Sequence, residues 1–148
     1  MEIMLSIPKI IDPDGLASEF IKEWLSDSPV VYANTSGSTG VPKRIMLSKA
    51  DMIVSAKATC RHFGIVASSV LHLPLSTDYI AGKMMVVRAF VSGATLIVER
   101  PSNRPLDFLP TEIRHVDLTA VVPSQVGGLL SGKYVERLRN VIVGGGAL

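Results

Sequence analysis

Short apolar runs alternate with amphipathic stretches along most of this chain. Apolar residues recur at helical spacing through 16–25, which predicts a helix with one buried face. Further helices are predicted from the N-cap Ser48 to about His62, from Asp78 or Tyr79 to about Ser92, and over 106–114 and 123–130. Apolar and β-branched runs predict strands at 30–32, 43–47, 70–73, 95–98, 118–122 and 140–143. This alternation is typical of an α/β fold with a mostly parallel sheet flanked by helices.

Composition narrows the class of protein. The chain has 148 residues, of which 47% are hydrophobic and 19% are charged, so it can bury a core as one folded domain. A net charge of +2 and an aromatic content of 5% argue against a nucleic-acid partner. No apolar run approaches the ~18 residues of a membrane span, and Met1–Ile11 lacks a secretion signal, so we expect a cytoplasmic protein without a membrane partner. The single cysteine, Cys60, excludes an internal disulfide and a zinc cluster, and we expect it on a helix face.

The segment Tyr32–Lys43 carries the strongest chemical signal. Its glycines allow the backbone to approach a ligand closely and to direct N–H groups at an anion such as phosphate. Hydroxyl groups and one positive charge strengthen this pattern. On composition alone, a surface turn between two strands is an equally good interpretation. The candidate phosphate-binding residues are Thr35, Ser36, Gly37, Ser38, Thr39, Gly40 and Lys43.

The spacing of this segment excludes one familiar phosphate-binding class. A Walker P-loop places a glycine directly before its lysine, whereas Pro42 precedes Lys43 here. A second glycine-rich run, made of Gly144, Gly145 and Gly146, follows the last predicted strand. Ligands of open α/β sheets bind at the carboxyl ends of strands, so the two runs together favour a nucleotide site. The triple glycine is equally compatible with a packing turn.

The stretch Thr35–Lys43 closely resembles the phosphate-loop signature of adenylate-forming enzymes, the superfamily of acyl-CoA synthetases and luciferases. Further segments resemble this family in the same order along the chain, so the resemblance runs from about residue 29 to the end. They are Leu73–Leu75 with Tyr79–Gly82, Arg88–Val98, Leu118–Gln125 and Val141–Gly146. Within the family, Ile80–Arg88 looks most like the o-succinylbenzoate–CoA ligases of menaquinone biosynthesis.

The resemblance implies a two-step reaction. A carboxylate attacks the α-phosphate of ATP to give acyl-AMP and pyrophosphate, and coenzyme A then displaces AMP. It implies that the loop holds the β- and γ-phosphates, that Lys43 neutralises the leaving pyrophosphate, and that Gly144–Gly146 line the adenine and acyl pocket. It also implies ATP, Mg²⁺ and coenzyme A as cofactors and a small carboxylic acid as substrate. Tyr79, where the family often has His, is expected to border the acyl pocket. The positive charge of Arg88 is expected to attract a substrate carboxylate, and a place on a solvated helix face is an equally good interpretation of Arg88.

These 148 residues contain only part of the family pattern. They lack the Tyr-Gly-x-Ser/Thr-Glu motif whose glutamate helps to hold magnesium, the aspartate that binds ribose, and the small C-terminal domain. We therefore expect residues 1–148 to be an incomplete N-terminal part of an adenylation domain, inactive by itself and without a metal ligand. The alternatives are a stand-alone nucleotide- or phosphate-binding module without catalysis, another acyl-CoA synthetase, and a folded fragment without affinity.

Four charged or titratable residues receive structural interpretations. Lys83 is expected on a solvated helix face. His62, His72 and His115 have no obvious carboxylate or cysteine partner in the sequence, so each is expected to have a structural role.

Overall fold

The computed structural model of the chain describes residues 7–35, 41 and 43–144. Within these residues, five strands form an all-parallel sheet in the order 10–11, 95–98, 70–73, 118–121 and 141–143, and strands 30–35 and 43–48 form a separate antiparallel hairpin. This arrangement confirms the predicted α/β fold. The elements are β1 (Ile10–Ile11), α1 (Ser18–Trp24), β2 (Val30–Thr35), β3 (Lys43–Ser48), α2 (Lys49–Phe63), β4 (Val70–Leu73), α3 (Ile80–Ser92), β5 (Thr95–Val98), β6 (Leu118–Val121), α4 (Pro123–Leu130), a 3-10 turn (Val135–Arg137) and β7 (Val141–Val143).

The sheet is covered on both faces, which explains its continuously apolar strands. Every residue of β4 and β6 is buried. Successive strand residues face opposite layers: Leu71 packs in the core with α1, α2 and α3, whereas Val70 packs in a second core with α4. Cys60 lies on helix α2, as expected, and it is buried there, which raises the pKa of its thiol.

Helix ends follow the predicted local chemistry. Ser48 Oγ accepts a hydrogen bond from the backbone N–H of Asp51 at 3.3 Å, which caps the start of α2. Gly93 ends α3 with a left-handed φ of 76°, a conformation that glycine adopts without the strain of a Cβ. No helix in the described residues is long and apolar enough to cross a membrane.

The helix predicted over 106–114 is wrong. Leu106, Leu109 and Ile113 are buried at helix-like intervals in the second core, but the chain between them is irregular. Pro110 has no N–H to donate within such a helix, and Leu106 has a φ of 65°. The Leu106 N–H is instead donated to Glu99 Oε2 at 2.9 Å. The apolar spacing therefore reports a buried face without reporting its backbone geometry.

The strands around the glycine loop also differ from the expectation of one sheet. β2 and β3 are longer than predicted and pair with each other, from Val30 opposite Ser48 to Thr35 opposite Lys43, and neither pairs with a strand of the parallel sheet. The loop between them therefore joins the two strands of a hairpin. It does not follow a strand of the parallel sheet.

The expectation of a solvated Lys83 is wrong. Lys83 is 5% exposed, and its Nζ lies 4.3 Å from the centre of the Phe20 ring. Glu23 Oε1 is 3.8 Å from the same nitrogen. Burial lowers the pKa of Lys83, and the Glu23 carboxylate opposes this shift. Lys83 thus fills the contact between α1 and α3.

Two histidines have carboxylate partners that the sequence did not reveal. His72 is fully buried, with Nε2 2.9 Å from Glu99 Oε2 and Nδ1 2.8 Å from Thr119 Oγ1. His115 Nε2 lies 3.1 Å from Asp117 Oδ2. The expectation that these side chains lack a carboxylate is therefore wrong: Glu99, 27 residues away, supplies one to His72, and Asp117, two residues away, supplies one to His115.

We expect Lys83→Met to leave the free energy of unfolding unchanged or to raise it by about 1–2 kcal/mol, because an apolar chain of similar length avoids the cost of burying a charge. Glu23→Gln should lower it by about 1–3 kcal/mol, because the buried ammonium loses its partner. Urea unfolding of both variants measures these changes.

The same pair predicts a pH dependence. Between its lowered native pKa and 10.5, Lys83 is protonated in the unfolded chain and neutral in the native chain, so stability should rise with pH across that window. The stability difference between wild type and Lys83→Met should narrow or reverse in favour of wild type towards pH 10.5. A pH-independent difference would contradict this account.

Candidate functional site

A cleft of about 650 Å³ opens at the carboxyl end of the parallel sheet. Its walls come from the end of β2, the segment after β4, helix α3, the loop after β5, and the ends of β6 and β7. This is the position that ligands occupy in open α/β sheets. The lining residues are mostly apolar and include Asn34, Leu75, Tyr79, Ile80, Met84, Pro101, Ala120, Val122 and Ile142.

The cleft brings together several residues predicted from the sequence. Thr35, Tyr79, Arg88 and Gly144 all contribute to its wall. A Cβ placed on Gly144 would meet no atom of the described residues within 4 Å, so the backbone there faces open space within this part of the chain. Ser36–Gly40, Gly145 and Gly146 lie outside the described residues, and their assignment to the site stays a prediction.

Lys43 begins β3 at the loop end of the hairpin, where it pairs with Thr35, the last residue of β2. Thr35 Oγ1 accepts the Lys43 N–H at 3.3 Å and donates to the Lys43 carbonyl at 3.3 Å. The two ends of the intervening loop are therefore joined by side-chain as well as strand contacts. Lys43 is exposed and is not part of the described cleft wall.

The hairpin is attached to the segment that precedes α3. The Asn34 N–H donates to the Asp78 carbonyl at 2.9 Å, and Asn34 forms a parallel bridge with Tyr79. This contact places Thr35 beside Tyr79, which is 43% exposed at the mouth of the cleft. Thr35 and Tyr79 are more than 40 positions apart in the sequence. They reach the same rim of the cleft because β2 forms a short bridge with the segment after β4.

Glycine allows α3 to begin close against the same segment. A Cβ on Gly82 would lie 2.1 Å from the Ser76 carbonyl oxygen, a distance that backbone atoms cannot accept. The first turn of α3 therefore packs directly on Ser76. This packing directs α3 beneath the cleft, where Met84 and Arg88 reach its wall.

Arg88 places a guanidinium in this apolar wall. Its Nε is buried and has no hydrogen-bond partner among the residues that the structure describes. Nη1 lies 3.3 Å from the Met85 sulfur, which is a weak acceptor. Burial lowers the pKa of Arg88, with a smaller opposing effect from Cys60. An arginine keeps its charge even so, and an anion in the cleft would satisfy it.

Sequence reasoning missed most of the apolar wall. Asn34, Leu75, Pro101, Val122 and Ile142 were not named individually as site residues, although Leu75, Val122 and Ile142 lie within the family-like segments. Asn34 precedes the predicted site residue Thr35, and Pro101 lies shortly after a predicted strand. Their position at strand ends was the available signal. It does not say which residue of a loop turns inwards.

Helix α4 contacts the loop that supplies Pro101. A Cβ on Gly128 would lie 1.7 Å from the Asn103 carbonyl oxygen, whereas a Cβ on its neighbour Gly127 would meet no described residue within 4 Å. The absence of a side chain at 128 therefore sets how closely α4 approaches this wall of the cleft.

Comparison with known proteins identifies the family. The profile of the AMP-binding enzyme family matches residues 9–148. The chain is 35% identical over 144 residues to a linear gramicidin synthase of Brevibacillus parabrevis, in a match that covers 93% of this chain and 2% of that protein. It is 29% identical over 136 residues to a probable 2-succinylbenzoate–CoA ligase of Mycobacterium tuberculosis, in a match that covers 85% of this chain and 35% of that protein.

Solved structures agree with this match. An acyl-CoA synthetase (AMP-forming)/AMP-acid ligase II-like protein from Dyadobacter fermentans superimposes with a TM-score of 0.77 at 31% identity, covering 90% of this chain and 39% of that chain. The o-succinylbenzoate coenzyme A synthetase of Bacillus subtilis, solved with ATP and magnesium ion, superimposes with a TM-score of 0.64 at 26% identity, covering 79% and 25%. The chain therefore belongs to the AMP-binding enzyme family, and it spans well under half of these relatives.

Two adjacent glycines of α4 provide a test of the close packing. Gly127→Ala should raise the free energy of unfolding by about 0.5–1 kcal/mol, because alanine favours a helix and the added methyl group meets open space. Gly128→Ala should lower it by about 1–3 kcal/mol, because the methyl group collides with the Asn103 carbonyl. Chemical unfolding compares the two variants, and a change of the same sign in both would contradict the packing of α4 on this loop.

Proposed function

We propose that this member of the AMP-binding enzyme family supplies the phosphate loop and the acid-binding cleft of an AMP-forming acid–CoA ligase, with o-succinylbenzoate as the acid. In this proposal residues 1–148 are part of an adenylation domain. The acid carboxylate attacks the α-phosphate of ATP, the bond to pyrophosphate breaks, and coenzyme A then displaces AMP from the acyl-AMP. The activity of the whole ligase, including its use of Mg²⁺ and coenzyme A, belongs to the proposal.

The observation that carries the proposal is the charge of the cleft. Arg88 is the one charged residue among its described lining residues, and no Asp or Glu occurs among them. An amino-acid substrate would bring an ammonium group into this wall, where it would meet a positive charge and no carboxylate. A carboxylate would instead receive charge-assisted hydrogen bonds from the guanidinium. The cleft therefore favours an acid substrate over the amino acids that peptide synthetases use.

The chemistry of o-succinylbenzoate suits both parts of the wall. Its ring can pack against apolar residues such as Met84 and Ile142. Of its two carboxylates, one must remain free for attack on ATP. We assign the other to Arg88, with Tyr79 against the ring at the mouth. A second anionic group would pair with the half-buried guanidinium, whose buried Nε has no hydrogen-bond partner among the described residues, whereas a plain fatty acid would leave it unpaired at a cost in desolvation.

The phosphate loop is proposed to act beside this cleft. Thr35 contributes to the cleft wall and contacts Lys43 across the hairpin, so phosphates held by 35–40 would lie next to an acid bound by Arg88. Backbone N–H groups and hydroxyls would hold the phosphates, and Lys43 would offset negative charge as pyrophosphate leaves. Gly144, together with Gly145 and Gly146, would let the flat adenylate approach the backbone closely.

Magnesium supplies charge neutralisation to phosphates when it is bound. The described residues contain no group of three or more His, Cys, Asp or Glu side chains that could hold a metal ion. The proposal therefore assigns no magnesium ligand to the described residues.

Arg88→Met tests the acid site. We expect the affinity for o-succinylbenzoate, measured by calorimetry, to fall by about tenfold to a hundredfold, because one charge-assisted pair is lost. The affinity for 4-oxo-4-phenylbutanoate, which lacks the ring carboxylate, should hardly change. Arg61→Met, on the exposed end of α2, is the matched control and should leave both affinities unchanged.

Two results would contradict the assignment. An equal loss of affinity for both acids would show that Arg88 does not contact the ring carboxylate. Tighter binding of an amino acid than of either acid would indicate that the chain belongs to a branch of the family that activates amino acids.

Lys43→Ala tests the phosphate loop. We expect the affinity for ATP to fall by about tenfold, because a charge near the phosphates is removed, while the affinity for AMP should change much less. Lys57→Ala, an exposed lysine on α2, serves as the control. Equal losses for ATP and AMP would exclude a contact between Lys43 and the β- or γ-phosphate.

A further inference from the structure

We propose that Gln125 is a positioning residue that sets the width of the cleft by holding three backbone segments at fixed separations. This inference rests on the proposed function for its meaning, because the cleft is the proposed acid site. Gln125 is 4% exposed and lies in the first turn of α4.

All three polar bonds of the Gln125 carboxamide go to backbone. Oε1 accepts the Val122 N–H at 3.1 Å. Nε2 donates to the Pro74 carbonyl at 3.0 Å and to the Ser102 carbonyl at 3.1 Å. These partners follow β6, β4 and β5, the three adjacent strands at the centre of the sheet. One side chain thus joins the exits of all three.

Each joined segment carries a wall of the cleft. Leu75 follows Pro74, Pro101 precedes Ser102, and Val122 itself lines the cavity. A change in the separation of these segments would therefore change the space between opposite walls. The side chain of Gln125 is not itself part of the wall, so its effect on a ligand would be indirect.

Helix capping explains only one of the three bonds. The Oε1 contact with Val122 is the usual return contact of a capping box at the start of α4. The two Nε2 bonds leave the helix and reach carbonyls of other elements. Glutamate would cap α4 as well as glutamine does, and it could not donate either of these bonds when ionised. The identity of the residue as an amide is therefore explained by Pro74 and Ser102.

Other contacts hold the far end of the same loop. Glu99 Oε2 accepts the Leu106 N–H at 2.9 Å and also contacts the buried His72 ring. Loss of the Gln125 bonds should therefore free the middle of the loop, around 101–104, while both of its ends stay attached. The expected effect is a local change in the cleft with the sheet intact.

Gln125→Glu separates positioning from capping, and Gln125→Met removes both. Asn140→Leu is the matched control, because Asn140 Nδ2 donates to the Asp117 carbonyl at 3.0 Å at the opposite, amino end of the sheet. The first readout is NMR relaxation of the unliganded chain. We expect backbone order at 102–104 to fall in both Gln125 variants and not in the control. Amide exchange at Val122 should accelerate only in Gln125→Met.

The second readout is calorimetry with o-succinylbenzoate. We expect both Gln125 variants to lose about tenfold to a hundredfold in affinity, because displaced walls no longer fit the ligand, and the control to lose none. Unchanged order at 102–104 in Gln125→Glu, or an affinity equal to wild type in that variant, would overturn the inference and leave Gln125 as a helix cap. If the wild-type chain binds neither o-succinylbenzoate nor ATP, the proposed function fails, while the relaxation measurement still decides the role of Gln125.

Discussion

Parallel pairing of the central strands creates the cleft and dictates what surrounds it. β4 pairs with β5 on one side and β6 on the other, and all three run in the same direction. Their carboxyl ends therefore leave the sheet at one edge, where the chain must turn back over a helix or loop each time. Three departing segments diverge there and enclose the cleft. Buried carbonyl and N–H groups at this edge need partners, and Gln125 and Glu99 supply several of them.

The antiparallel hairpin brings the proposed phosphate loop to this edge without joining the sheet. A loop between paired antiparallel strands begins and ends at one place, so its N–H groups can be gathered around a small anion. The bridge between Asn34 and Tyr79 then fixes where that place is. Arg88 reaches the same cavity from helix α3. A negative ligand would thus meet positive or N–H groups from two independent elements, while apolar side chains exclude water between them.

Sequence interpretation succeeded where neighbours within a few residues decide the structure, and it failed where residues distant in the sequence decide it. The cap at Ser48, the end of α3 at Gly93 and the bounds of α4 depend on neighbours within a few residues, and these were predicted correctly. Strand positions followed from apolar runs. The failures lay where distant residues decide: Lys83 is buried because α1 supplies Phe20 and Glu23, and His72 finds Glu99 only after β4 and β5 pair. Over 106–114 the buried apolar residues keep a helix-like spacing, but Pro110 disfavours a helix and the chain is irregular.

The α/β alternation, the glycine- and hydroxyl-rich loop and the family could all be read from the chain alone, because a contiguous motif keeps its spacing whatever surrounds it. Thr35, Tyr79, Arg88 and Gly144 could also be named in this way, but as separate candidates. Folding in three dimensions was needed to show that these four share one cavity, that the cavity is apolar with a single charge among its described residues, and that Gln125 joins its walls. Strand pairing and helix packing bring together residues that are distant in the sequence, and the chemistry of each residue alone does not reveal which others it will contact.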